Sequence, residues 1–470
     1  MNGYIIAKIV MHFFIVSIIG YISLKIINSA MRLNAKTFAL LYGLGAALIT
    51  LEMLIISLLG LKFSLGLILL PWALPLLLVF FKKRKESKNY LNIQKLYFKI
   101  IDKVKDSNPL VLLLFIAVIF PFFLKLLLGL PLIGWDAWMH WGFKAKIFYF
   151  EKSVPLELYT GNCPIMTLGQ REYPLLVSLI ETFFYECVGI FDDSLARVIF
   201  FCFYLSLLVF FYNLLKSIYT KLYAGIITFF LATIPFITDC ASGYYSGYAD
   251  LIFMYYNFIS VALLWSWSIE KKNWQFYLAS AFTGFAFWTK VDGIVLVIAN
   301  FILILFLILF DKETRALLKI KLFLSYALIV SAIAGPWYSV VFFLRLPSGH
   351  IAEKSAMSAG EFFKRLPVFA TGVVREALNF PKWNILWVTF ALVLIFCFAR
   401  MFNKTNRIFF ISFLIQAGLY SLVTLFHSAF YHTVANFLDR LMLHLVPLIL
   451  IITANSLYQK NRMILGAGSQ

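Results

Sequence analysis

Long apolar runs cut by short polar links recur along the chain from Tyr4 to Leu457. An apolar run of about eighteen or more residues matches the length that a bilayer's hydrocarbon core demands of a helix. Read by that rule, the chain has thirteen expected spans, over 4–28, 36–60, 62–81, 109–130, 193–214, 221–240, 249–268, 274–289, 292–310, 319–343, 386–401, 408–427 and 438–457. Lipid offers backbone groups no hydrogen-bond partner, so the expected class is an all-α polytopic membrane protein with external interfacial helices. The run Tyr173–Ile190, "YPLLVSLIETFFYECVGI", is treated differently. As a span it would scatter the basic links over both faces. As an interfacial or re-entrant helix it leaves them all on one. That choice puts the N-terminus outside and the C-terminus inside. The segments 131–193, 238–248, 346–382 and 427–437 and the turn around Lys290 then fall on the outer face.

Three parts follow from this pattern: an N-terminal three-helix extension over 1–81, a basic cytoplasmic linker over 82–108, and a membrane core over 109–470. The first apolar run lacks a basic leader and a small-residue cleavage site, so a spanning helix is expected there rather than a signal peptide. Composition sharpens the class. Of 470 residues, 62% are hydrophobic and only 13% charged, about half the charged share of a soluble domain. The net charge of +19 collects in links such as "KKRK" (82–85), Lys271–Lys272, "DKETRALLKIK" from Asp311, "NKTNR" from Asn403 and "QKNR" near the end. That placement is the positive-inside pattern, and it argues against a nucleic-acid partner. The five cysteines, at 163, 187, 202, 240 and 397, show no CxxC or metal-ligand spacing.

Against this background the polar groups on the expected outer side stand out. "GWDAWMHWGFKAKIFYF", Gly134–Phe150, sets Asp136, His140 and Lys144 at spacings of four. On an α-helix they share an arc of about 80°, with aromatics filling most of the rest. An acid there can act as a general base on an acceptor hydroxyl, and nearby cations can hold a phosphate. The same residues also fit an aromatic belt with a snorkelling lysine. Asp250, in "GYYSGYADLIFMYYNF", is either an ionisable group in an apolar helix or a solvated first-turn acid. "FWTKVDG", Phe287–Gly293, breaks a stretch of nearly forty apolar residues with Lys290 and Asp292. A turn there needs Gly293 but does not need a lysine, which makes Lys290 a candidate anion ligand. Asp439 and Arg440 open the final span, and Arg440 is either neutralised by Asp439 or a bidentate phosphate ligand. Lys146 and Arg171 add further cations on the same side.

In this layout the chain resembles the GT-C superfamily of integral-membrane glycosyltransferases, in particular the aminoarabinose transferases and protein O-mannosyltransferases. "GWDAWMHW" stands where the family carries an essential acid in its first external loop. Pro174, Gly189 and Arg197 resemble the family's surface-helix motif, with a single proline for the usual pair and Tyr173 where His or Lys is usual. Asp250, Thr289–Lys290, Pro336–Tyr338 and "RLMLHLVPLIL" from Arg440 follow in the family's order, over residues 109–457. The resemblance implies inverting transfer of a sugar from a polyprenyl-phosphate donor to an acceptor hydroxyl at the external face of a bacterial inner membrane. Asp136 would be the base, with Asp250 and His140 as further catalytic candidates. Lys144, Arg171, Lys290 and Arg440 would hold the donor phosphate, and no metal or other cofactor is expected. Two other readings stay open. A flippase or transporter of lipid-linked sugar would place charges near mid-membrane. A glycan polymerase or ligase would use a basic outer loop, for which His350, Lys354, Lys364, Arg365 and Arg375 are a partial match.

Overall fold

The computed structural model describes residues 3–29, 31, 33–86, 109–160, 170–309, 316–346 and 359–466. Most of the basic linker, Cys163, the link at 311–315 and the loop residues His350 and Lys354 lie outside the described residues. Helix makes up 83% of the structure, and no strand occurs among the described residues. A helix stands at each of the thirteen expected positions, but six are long and apolar enough to cross a bilayer: Gly3–Ile27, Ala35–Leu58, Asp193–Lys216, Asp250–Glu270, Ala316–Phe343 and Arg407–Phe426. Five more, around 65–79, 112–125, 293–309, 386–402 and 446–458, are shorter apolar helices. The expected 221–240 span is interrupted between Ala232 and Pro235. The chain is thus a helical protein of the multi-pass membrane type, divided into two compact units.

Unit one comprises residues 1–155, 176–233 and 244–247. Its helices are α1 (Gly3–Ile27), α2 (Ala35–Leu58), α3 (Leu65–Glu86), α4 (Pro109–Leu127), α5 (Gly142–Glu151), α6 (Leu176–Val188), α7 (Asp193–Lys216) and α8 (Lys221–Ala232). α1 and α2 approach to backbone contact because glycine faces backbone on both sides. An ideal Cβ would lie 2.0 Å from the Leu41 carbonyl oxygen at Gly20, and 1.9 Å from that of Val16 at Gly45. Small residues set such close contacts between membrane helices, where packing rather than hydrophobicity drives association. Gly45→Val is expected to push the pair apart and cost about 1–3 kcal/mol, seen as a lower midpoint in detergent unfolding. Gly66→Val, at a glycine open to space, serves as control.

The Tyr173–Ile190 run, expected as an interfacial or re-entrant helix rather than a span, holds α6, which is not among the helices long and apolar enough to cross a bilayer. α6 packs against α1, α2, α5 and α7, and every residue except Glu186 is buried. The sequence "LVSLIETFFYECV" is amphipathic, and its polar side, Ser178, Glu181 and Thr182, turns toward α5 and the turn before it. Gly189, at φ +80°, stops it, and the Lys8 ammonium donates to the Val188 carbonyl at the helix end at 2.7 Å. Ser178 and Thr182 donate across to the carbonyls of Trp141 and Ala145, which fastens α5 to α6.

Unit two comprises residues 156–175, 234–243 and 248–470. It holds α9 (Pro235–Ser242), α10 (Asp250–Glu270), α11 (Asn273–Thr289), α12 (Gly293–Leu309), α13 (Ala316–Phe343), α14 (Ala359–Ala377), α15 (Leu386–Cys397), α16 (Arg407–Phe426), α17 (Leu438–Leu443) and α18 (Val446–Gly466). α10 is the axis: Asp250 through Trp267 are all buried, with α11, α12, α16 and α17 around it. Its polar residues are used inward. Asn257 donates to Gln416 (2.8 Å) and to the His444 carbonyl (3.1 Å), and Asn300 of α12 donates to Ser260 and Thr283.

Two breaks in this unit position the site. Between α11 and α12 the backbone turns at Lys290, and Gly293 closes the turn with an N–H to the Lys290 carbonyl at 2.9 Å. A Cβ at Gly293 would sit 2.3 Å from the Phe287 Cα, so no other residue fits. The expected 438–457 span divides at His444–Leu445, just before Pro447, whose nitrogen has no proton for the carbonyl one turn back.

Candidate functional site

Asp250 is the first residue of α10, 1% exposed. Its Oδ1 accepts from the Lys290 ammonium at 2.9 Å and from His444 Nε2 at 3.2 Å. Its Oδ2 accepts from Arg440 Nε at 2.9 Å, with Nη2 of the same guanidinium at 2.8 Å. Four helix ends thus converge on one carboxylate: the starts of α10 and α17, the α11–α12 turn and the α17–α18 break. Both nitrogens of the guanidinium edge converge on Oδ2 alone, a charge-assisted contact rather than a fork on two oxygens. The guanidinium also lies 5.0 Å from the Tyr248 ring and 5.6 Å from that of Phe437.

The network extends outward from this core. Lys290 meets Asp292 at 2.6 Å. Asp439 accepts from the Arg440 backbone N–H at 2.8 Å and from Lys382 at 2.6 Å. Glu376 accepts from Trp383 Nε1 at 2.9 Å. Burial alone would lower the basicity of Lys290, yet Asp250 and Asp292 hold the ammonium above its ordinary range. Burial alone would raise Asp292, yet Lys290 holds it below the usual carboxylate range. Lys290 therefore stays charged at any physiological pH. Its two carboxylates take two of its three N–H groups, and the third has no partner among the described residues.

Tyr420 OH lies 3.1 Å from His444 Nδ1. A carboxylate only accepts, so Nε2 carries the proton toward Asp250, and Nδ1 of the neutral ring accepts from the tyrosine. The result is a directed chain from Tyr420 through His444 to Asp250. Sequence reasoning passed over both residues. The signal for His444 was one imidazole inside "RLMLHLVPLIL", four residues after Arg440.

Asp250 was a catalytic candidate on sequence grounds, but each of its oxygens is engaged twice. A carboxylate so committed is a poor proton acceptor and a good anchor for cations. Arg171 donates to the Tyr159 carbonyl at 2.9 Å, and none of the contacts of Asp250 or Lys290 involves it.

In unit one, Asp136 precedes a π-turn over Ala137–Trp141, and the Gly142 N–H reaches back five residues to the Ala137 carbonyl. Such wide turns are uncommon and frequent at functional sites. The expected plain α-helix and its 80° arc are replaced by this turn, followed by α5. Asp136 is half-buried, whereas His140 and Lys144 are buried, the latter 1% exposed. Trp135 and Trp138, at 56% and 48%, point outward, and Trp141 is buried with its ring 6.0 Å from the Lys144 ammonium.

The same region brings in a residue the sequence reading did not weigh. Glu181 of α6 is fully buried, and neither carboxyl oxygen has a hydrogen-bond partner among the described residues. Its Oε2 lies 3.7 Å from where a Cβ on Gly142 would stand. Burial first, and Asp193 second, push its carboxyl well above the ordinary range. Tyr185, one turn along, is likewise buried, with its hydroxyl unpartnered among the described residues. Among the described residues no three His, Cys, Asp or Glu side chains converge as metal ligands. Comparison with protein-family models, curated proteins and solved structures finds no match for this chain.

Proposed function

We propose that the protein is a membrane-embedded glycosyltransferase that takes a sugar from a polyprenyl-phosphate donor and passes it to an acceptor hydroxyl. The observation that carries this reading is the Lys290–Arg440 pair, two buried cations fixed on one carboxylate at helix ends. Ionisable groups placed so deep in a membrane protein are costly and mark function by default. Asp250 keeps both cations charged and oriented before any ligand arrives, and the remaining N–H of Lys290 suits a phosphoryl oxygen. Preset cations stabilise charge that grows on a departing phosphate without reorganising during the reaction. In the sequence resemblance the base is Asp136, which stands in unit one. Each assignment is tested by its own substitution.

The decisive assay incubates the purified chain with a panel of radiolabelled polyprenyl-phosphate sugars and membrane extract, and asks what becomes labelled. Transfer from one donor class is expected. Lys290→Ala is expected to weaken donor use about tenfold, the cost of one charge-assisted hydrogen bond. Asp136→Asn should lower the rate by about a hundredfold with folding unchanged, the usual scale for loss of a general base. No transfer from any donor, or full activity in both variants, would overturn the assignment.

A further inference from the structure

α14 has two unlike faces, and the inner one is committed to protein. Phe362 and Phe369 pack on the buried cluster of Leu425, Phe430 and Val434. Arg365, paired with Glu361, donates to the carbonyls of Leu425 at 2.8 Å and His427 at 2.9 Å. These carbonyls lie at the end of α16, where the helix has no donors of its own left to offer. Gly372 completes the fit, because a Cβ there would stand 2.5 Å from Val434 Cγ1. α16 is among the helices long and apolar enough to cross a bilayer. α14 is therefore fastened across the end of a span, the level at which hydrocarbon gives way to headgroups.

The outer face carries an apolar stripe with a basic margin. At 100° per residue Leu366, Ala370, Phe363, Val374 and Pro367 fall within an arc of about 100°. All five are exposed, Phe363 by 68% and Val374 by 57%. The stripe continues onto the flank of α16: Phe362, at its edge, meets the Phe426 ring at 6.0 Å, and Phe426, Leu422 and Val423 are exposed. Along the opposite edge stand Lys364 and Arg375, both exposed. Eleven residues apart, they differ by about 20° around the helix and by about 16 Å along it. Neither makes an ion pair among the described residues. The acids of α14 are already used, Glu361 by Arg365 and Glu376 by Trp383 and Lys382. Of the three basic residues of α14, one therefore ties the helix down and two are left facing outward without counter-charge.

We propose that this face of α14 rests on an anionic phospholipid leaflet: the stripe around Phe363 and Val374 enters the acyl region, and Lys364 and Arg375 each draw an anionic headgroup. An apolar stripe edged by cations is the pattern of a helix lying in a membrane interface, and each cation near an anionic surface adds attraction. A second copy docked on the same face would bring four cations together with no acid to meet them. The surface is independent of the transferase reading.

The test places the full chain in lipid nanodiscs of phosphatidylcholine alone or with one quarter phosphatidylglycerol, and follows amide exchange of α14 peptides by mass spectrometry. The wild type is expected to exchange on the order of tenfold more slowly in the anionic discs, and 0.5 M salt, about a Debye length of 4 Å, should erase most of the difference. Lys364→Gln combined with Arg375→Gln should abolish it, with peptides from α12 unchanged as a check on folding. Phe363→Ser combined with Val374→Ser should speed exchange in both compositions. Equal exchange of the wild type in the two lipids, or a difference that survives in the Lys364→Gln/Arg375→Gln variant, would overturn the proposal. So would protection in discs holding two copies and not in discs holding one, which would assign the face to a second copy of the chain.

Discussion

Asp250→Asn is expected to cost about 3–5 kcal/mol of stability, the scale for removing one partner of a buried ion pair. The substitution keeps the volume but replaces an acceptor-only carboxylate with one acceptor and one amide donor. Lys290, Arg440 and His444 all present donors to that position. Two cations are left buried with too little counter-charge, and the amide N–H meets another donor. The loss should appear as a smaller monodisperse fraction in size-exclusion chromatography after a mild heat step. Removing a cation at the same time should restore part of it. Asp250→Asn combined with Lys290→Met is therefore expected to be more stable than Asp250→Asn alone, because the uncompensated charge falls. If the single variant is as heat-resistant as the wild type, the carboxylate does not anchor this cluster, and the preset phosphate site loses its support.

How much of that cluster could be read from the chain follows from what pattern does and does not encode. Asp250, Lys290 and Arg440 each interrupt an apolar run, and that local anomaly was visible without a structure. Their meeting was not visible, since Asp250 lies 40 residues from Lys290 and 190 from Arg440. Such contacts are set by helix packing, which no periodicity reports. The α11–α12 turn was legible because Gly293 is the one residue that its backbone approach admits. The π-turn after Asp136 was not, because a 100° rotation per residue was assumed and nothing in "AWMHW" announces a wider turn. Length gave thirteen spans where six of the described helices are long and apolar enough to cross a bilayer, for a related reason. A helix sheathed by other helices, like α11, answers to its neighbours and need not cross the full hydrocarbon thickness. α6 is buried for a reason of the same kind: its polar side, Ser178, Glu181 and Thr182, faces α5 and the turn before it. Glu181 was overlooked for being a single acid in that run, although a lone acid in an apolar helix is the costly feature that merits suspicion.

That acid carries the second large effect. The folded protein holds the Glu181 carboxyl well above its ordinary value of 4.5, chiefly by burial. Below that value the folded and unfolded chains both carry the proton, and the residue contributes nothing to pH dependence. As pH rises past it, the unfolded chain releases the proton while the folded chain keeps it. Stability then falls by about 1.4 kcal/mol per pH unit until the folded-state value is reached. Glu181→Gln has the same shape and never ionises, so its profile lacks this slope. The variant is expected to match the wild type near pH 4 and to exceed it increasingly toward pH 8, as read from denaturant midpoints in detergent at each pH. Asp193, at the start of α7, is the second cause of the shift, so the comparison is repeated in an Asp193→Asn background, where the gap should persist because burial is the larger cause. Parallel profiles across the range would mean that Glu181 is ionised and paired in the folded protein. A gap that widens with pH would identify a neutral carboxylic acid stored beside the turn that carries Asp136.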